Sequence, residues 1–236
     1  MPTTENAPKC FAQVRGKRIL DWTLEALRGG GVTEICFIGG YRMEAVEREY
    51  PRFIFRRNEA WEENNILVSL MCAEDLMDRP FITTYSDILF TAEVVRKLLD
   101  SPADIALGVD TDWREHYRPR TQHPPHDAEK VITANGAVQR VQRSIAYEEA
   151  TGEFIGVAKF SARGARLLRE HYHRRKREFW GKPYREAPLF QKAYLIHLFQ
   201  DMIEQGVHFG HADTHGNYRE IDTQEDFELA QRGWSA

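Results

Sequence analysis

Short apolar runs alternate with amphipathic, helix-length segments through the first half of this chain, and that alternation limits the folds open to it. Residues 35–38, 53–55, 81–84 and 103–109 are apolar runs too short for buried helices and read as strands. Between them, residues 19–27, 43–49, 66–77 and 94–99 repeat apolar side chains at helical spacing. Gly29, Gly30 and Gly31 stop the first helix, Gly39 and Gly40 turn the chain into the second, and Asn64 or Asn65 can cap the third. Strand, helix and strand at this spacing mean right-handed crossovers. The expected fold is α/β, a Rossmann-like, mostly parallel (mixed) sheet flanked by helices.

The pattern changes after residue 109. Residues 110–130 are polar and rich in Pro, His and Arg, and read as a loop over the sheet edge. Residues 129–133 and 137–141, joined by Asn135 and Gly136, read as a β-hairpin, and 155–160 as a strand. A long helix is expected over 188–205, then strands at 207–211 and 218–221. The last helix spans 223–232, with Thr223 as its N-cap and Asp226 as its capping-box acid. No repeat or linker divides the chain, so residues 1–236 read as one domain carrying a small β-rich insert within 110–160.

Composition narrows the function. At 42% hydrophobic residues a full core is available, and a net charge of -4 with mixed signs argues against nucleic acid as a partner. The basic run from His171 to Arg177 reads as the solvated face of a helix. Cys10, Cys36 and Cys72 are scattered and odd in number, as reduced thiols of a cytoplasmic protein would be. No apolar run approaches the roughly 18 residues of a membrane span, so no membrane partner is expected.

Three residues stand where chemistry could be done. Asp87 and Asp222 each close a strand, the edge at which open α/β sheets bind ligands, and carboxylates suit a hard cation such as Mg²⁺. Each also reads as a turn or cap residue. Lys9, in the loop before the first helix, can act as a point charge against phosphate or be an ordinary surface lysine. Arg15, Gly16 and Lys17 lack the rest of a Walker loop, His211 and His215 lack the further ligands of a zinc site, and no serine sits in a nucleophile elbow.

The block from Asn6 to Phe11, with Gly16, Lys17, the segment 19–22, Leu27, Gly31, Val32, Glu34 and Ile35, resembles the N-terminal part of sugar-1-phosphate nucleotidyltransferase-like enzymes. Further segments resemble one branch, the phosphocholine and aminoethylphosphonate cytidylyltransferase-like group. They are Asn64 to Ile66 with Ser69 and Leu70, Ser86 with Asp87, and Val109 to Trp113. Others are His123 with Pro124, Ala128 to Lys130, Gly152 to Gly156 with Lys159, and Glu220 to Asp222. The resemblance implies that an acceptor phosphate or phosphonate oxygen attacks the α-phosphorus of an NTP, CTP being expected, and releases pyrophosphate.

By position, Asp87 and Asp222 would hold Mg²⁺ and Lys9 would neutralise phosphate charge. Lys9, Asn65, Ser69 and Tyr85 would face the nucleotide. Asp112, Trp113, Tyr117, Glu153, Lys159, Trp180 and Tyr184 would face the acceptor, the four aromatic rings being candidates for a cage around a quaternary ammonium or for ordinary packing. A homodimer is left open. A sugar-1-phosphate nucleotidyltransferase and an inactive binding protein of the same fold are the alternatives.

One departure bears on activity. Such enzymes carry a strand and a glycine-rich phosphate loop before the first helix, and Met1 to Asn6 resembles the residues just after that loop. The expectation is an N-terminally truncated polypeptide, by a start placed too far downstream or by degeneration. It would bind CTP poorly, turn over little and leave an unpaired edge beside strand 35–38.

Overall fold

The computed structural model describes residues 7–235; the expectation built on Met1 to Asn6 lies outside them. Lys9–Phe11 forms one 3-10 turn, anchored by buried Cys10. Strands β1 (Gln13–Val14) and β2 (Lys17–Arg18) make a small antiparallel ribbon leading into α1 (Ile19–Gly29). The helix buries Ile19, Leu20, Leu24 and Leu27 along one side, each worth about 1.5–3 kcal/mol. β3 (Cys36–Gly39), α2 (Met43–Glu49) and β4 (Ile54–Arg57) form a crossover whose strands pair in parallel as a separate two-stranded sheet. Among the described residues, β3 pairs with β4 alone.

The helix expected over 66–77 is shorter. α3 (Ile66–Leu70) starts at Asn65, whose side chain accepts from the Ile66 amide at 2.8 Å. Beyond it the chain tightens into a 3-10 turn, Met71–Leu76, across Ala73, which leaves helical geometry. Apolar spacing persists through both forms and does not distinguish them.

The central sheet collects the rest of the chain. Its strands are β5 (Phe81–Thr84), β7 (Ile105–Asp110), β8 (Lys130–Ala134), β9 (Ala137–Val141), β10 (Gly152–Phe160) and β11 (Phe209–Thr214). The order is β11-β7-β10-β8-β9, with β5 also on β10. β11 runs parallel to β7, whereas β10 runs antiparallel to β5, β7 and β8. The sheet is therefore mixed, with an antiparallel strand at its middle. The hairpin β8–β9 turns at Asn135 and Gly136, both at positive φ, as a tight turn between right-twisted strands requires.

Helices cover both faces. α4 (Ala92–Asp100) packs with α1 against one, where Val94, Val95 and Leu98 meet Ala106, Ile155 and Val157. α6 (Ala162–Phe179) and α7 (Leu195–Glu204) cover the other, where Leu168 and Phe199 meet Leu107, Phe154 and Phe160. The helix expected over 188–205 begins late, because 188–193 holds a 3-10 turn whose Gln191 carbonyl accepts from the Asn65 amide at 2.9 Å. The short β6 (Ile88–Phe90) and β12 (Tyr218–Glu220) pair antiparallel outside the main sheet, and α8 (Gln224–Gly233) follows, capped by Thr223 and Asp226. Within the expected loop 110–130 lies a short helix, α5 (Trp113–Tyr117). No helix among the described residues is long and apolar enough to cross a membrane.

Candidate active site

The antiparallel pair β6–β12 joins two distant parts of the sequence. Glu220 lies opposite Ile88, and the Ile221 amide donates to the Asp87 carbonyl at 3.0 Å. That register sets Asp87 beside Asp222. The 3-10 turn before β1 brings Lys9 to the same point, where its ammonium lies 2.9 Å from Asp87 Oδ2 and also donates to Asp222 Oδ1. Burial opposes the charged lysine, but the two carboxylates outweigh it and raise its pKa above the usual value.

Asp222 is held from behind. Its amide donates to Asp226 Oδ2 at 3.1 Å, and the Thr223 amide donates to the same oxygen at 2.8 Å. Arg120 donates to the other Asp226 oxygen at 2.6 Å, and His123 lies 3.6 Å away. Burial opposes ionisation of Asp226, yet His123 and Arg120 prevail and hold its carboxyl well below the usual carboxylate range.

Beside these residues opens a cavity of about 290 Å³, lined by Asp87, Asp222 and Tyr85 at one side and by Glu129, Glu153 and Arg143 at another. Tyr85 is set by Gly156, which sits at φ 75° where the register of β10 on β7 shifts. A Cβ there would lie 2.5 Å from the Tyr85 ring, and the Gly156 carbonyl accepts from the Tyr85 amide at 3.1 Å. The Tyr85 hydroxyl donates to Glu129 Oε2 at 3.1 Å, and the Tyr117 hydroxyl donates to Glu153 Oε1 at 2.7 Å. Burial raises both Glu129 and Glu153 to about 7. Glu220 is raised well above the ordinary range, by burial first and then by neighbouring acids, Asp222 foremost. Buried Lys130 holds the preceding loop through the Pro125 and His126 carbonyls, each at 3.3 Å.

The residues singled out from sequence divide clearly. Lys9, Asp87 and Asp222 meet, and Asn65, Tyr85 and Glu153 line the adjoining cavity. Ser69 stands off it, accepting from Asn58 Nδ2 at 2.7 Å. None of the four rings considered for an acceptor-side cage lines this cavity. Trp113 and Tyr117 are buried with Ala128, Ile145 and Ala150, and Tyr184 lies in the core against Phe179 and Phe190. Exposed Trp180 follows α6 and lies over Phe190. Asp112 is likewise outside the cavity, 3.9 Å from His215, and Lys159 ties down the Ser101 and Ala103 carbonyls at 2.9 and 2.7 Å. Trp113, Tyr117 and Tyr184 thus pack inward, drawn by their apolar area, whereas Trp180 stays exposed.

Sequence reasoning gave no role to Glu129, Arg143, His123 or Glu220. The available signal was a charged residue bordering or ending an apolar strand, as with Glu129 before β8, Arg143 after β9 and Glu220 in β12.

No family model matches the chain. It is 28% identical over 239 residues to a CTP:phosphoglutamine cytidylyltransferase of Campylobacter jejuni, covering 97% of this chain and 93% of that protein. Over nearly its whole length the chain is thus similar to a nucleotidyltransferase. A choline-phosphate cytidylyltransferase of Streptococcus pneumoniae is 28% identical over 93 residues, 38% of this chain and 40% of the relative. Two solved structures share the fold. An inositol-1-phosphate CTP transferase from T. maritima superposes with a TM-score of 0.72 at 18% identity, covering 100% and 92% of the two chains. A CTP:phosphocholine cytidylyltransferase from Streptococcus pneumoniae gives 0.70 at 18% identity, covering 98% and 91%. Both superpose over nearly the whole of this mixed sheet and its flanking helices.

Proposed function

We propose that this nucleotidyltransferase moves a cytidylyl group from CTP to a small phosphorylated or phosphonate acceptor and releases pyrophosphate. An acceptor oxygen bonds to the α-phosphorus, the α–β phosphoanhydride breaks, and pyrophosphate leaves with its electron pair. One observation carries the reading: Lys9, Asp87 and Asp222 converge on one point at the side of a cavity of about 290 Å³. The choice of CTP is supported by the C. jejuni and S. pneumoniae relatives, both cytidylyltransferases by name.

Such chemistry asks a protein for alignment and charge neutralisation. Lys9 supplies a fixed positive charge that the two carboxylates orient. Asp87 and Asp222 fit a hard divalent cation, since they already converge on one positive group and offer only oxygen donors. They would hold Mg²⁺, which when bound neutralises phosphate charge. Asn65 and Tyr85 border the substrate space, and Asp226 fixes the backbone at Asp222. We assign the reaction to the cytoplasm, a location supported by three unpaired cysteines. Pyrophosphate release from each NTP against a panel of phosphorylated acceptors tests the proposal. Turnover with CTP that Asp87→Asn removes is expected; no release with any pair overturns it.

A further inference from the structure

The residues lining the cavity beside Lys9 include two buried polar atoms of opposite character that no described residue satisfies. Glu129 is 7% exposed and its Oε1 has no hydrogen-bond partner. Arg143, which lines the same cavity, has a buried Nε that is likewise without one. The two side chains approach each other only to 3.8 Å, beyond hydrogen-bond distance. Buried polar groups are rarely left in this state, and both point to a missing third party.

The character of that party follows from the groups. An oxygen of a carboxylate wants an N–H donor, and the arginine Nε wants an anionic or carbonyl acceptor. Asp127 adds a further carboxylate to the lining, and Glu153 and Glu220 add oxygens that can accept from an ammonium. A quaternary ammonium has no N–H to offer Glu129. The face of Tyr194 that could stack on one is covered by the Arg143 guanidinium, 4.2 Å from the ring centroid. A neutral polyol would leave both charges poorly matched.

We propose that the cavity binds the zwitterionic end of a phosphorylated amino acid, its ammonium donating to Glu129 and its carboxylate accepting from Arg143. The acceptor phosphate then lies toward Lys9, Asp87 and Asp222, which line or border the same cavity. The inference rests on the nucleotidyl-transfer reading for the direction of the phosphate, but the charge pairing stands on the cavity alone. Arg143 and Glu129 are, on this account, the residues that set acceptor specificity.

Calorimetry without nucleotide tests it on the full chain. O-phosphoserine and O-phosphohomoserine are titrated against their decarboxylated counterparts, phosphoethanolamine and phosphopropanolamine, and against phosphocholine. At least one amino acid should bind ten times more tightly than its decarboxylated counterpart and than phosphocholine. Arg143→Gln should erase that margin, and Arg143→Lys should restore part of it, while thermal melting reports that both variants fold. Equal binding of the amino acids and their counterparts, or a margin that survives Arg143→Gln, overturns the inference. The predicted binding pattern without pyrophosphate release from any NTP would instead sink the activity and leave the zwitterion site standing.

Discussion

Lys9 and Asp87 form an ion pair of 2.9 Å that also takes in Asp222, so one ammonium occupies the space between two carboxylates. Asp87 and Asp222 are each about a third exposed, at 28% and 40% of the side chain, and pairs in such settings add at most about 1 kcal/mol to stability. The cluster therefore adds little to folding, as the catalytic role proposed for it allows. Lys9→Met and Asp87→Asn should each lower pyrophosphate release at least about a hundredfold, as loss of a transition-state charge contact does, with melting temperatures nearly unchanged. Wild-type turnover in Lys9→Met would contradict this role.

The same pair sets up a competition. A divalent cation held by Asp87 and Asp222 would share with Lys9 the two carboxylates that its ammonium already engages. In the absence of substrates, Lys9→Met should bind Mg²⁺ more tightly than the wild type, and Asp222→Asn more weakly. Calorimetry on the three proteins gives the order. Chelation of the metal should stop turnover of the wild type and Mg²⁺ should restore it.

Glu153 is buried with its pKa raised to about 7. The unfolded chain releases that proton near 4.5, so the folded state binds more protons between about 4.5 and 7. Stability due to this group therefore falls as pH rises through that window and is flat above it. Glu153→Gln removes the titration while its carbonyl can still accept from Tyr117. Thermal melts should find the variant gaining about 1–3 kcal/mol relative to wild type between pH 5 and pH 8. A constant difference across that range would refute the assignment.

Asp226 carries the opposite sign. Its carboxyl is held below the usual range, so its contribution is present above about pH 4 and is lost as pH falls further. Arg120 and Asp226 are almost wholly buried, with side chains 6% and 1% exposed. Asp226→Asn would strand the Arg120 charge and loosen the amide of Asp222, at a cost of about 3–5 kcal/mol. Both a lower melting temperature and reduced turnover are expected. Normal stability in urea unfolding would show that the pair is not coupled as the geometry requires.

Gly156 offers a purely steric test. Its φ of 75° and the 2.5 Å approach of the Tyr85 ring leave no room for a methyl group. Gly156→Ala should cost about 1–3 kcal/mol through backbone strain and displace Tyr85 from Glu129. A melt matching the wild type would mean that β10 can relax at this point.

Local pattern determined much of the scaffold. α2 has its expected bounds and α1 runs over the expected stretch. The Asn135–Gly136 hairpin and the Thr223–Asp226 cap also follow from short-range chemistry, because turns, caps and amphipathic spacing depend on neighbouring residues. The acids at two strand ends were legible for the same reason. Other features depend on contacts between residues far apart in the chain. Strand direction is one, since apolar runs do not encode whether β10 lies parallel or antiparallel to β7. The meeting of Lys9, Asp87 and Asp222 needs the β6–β12 register, and the fate of the aromatic rings needs the core. Trp113, Tyr117 and Tyr184 carry enough apolar area to line a cage or fill an interior, and only tertiary packing sends them inward. Glu129 and Arg143 read as ordinary surface charges until folding brings them to one cavity, where a 3.8 Å separation keeps them from pairing with each other.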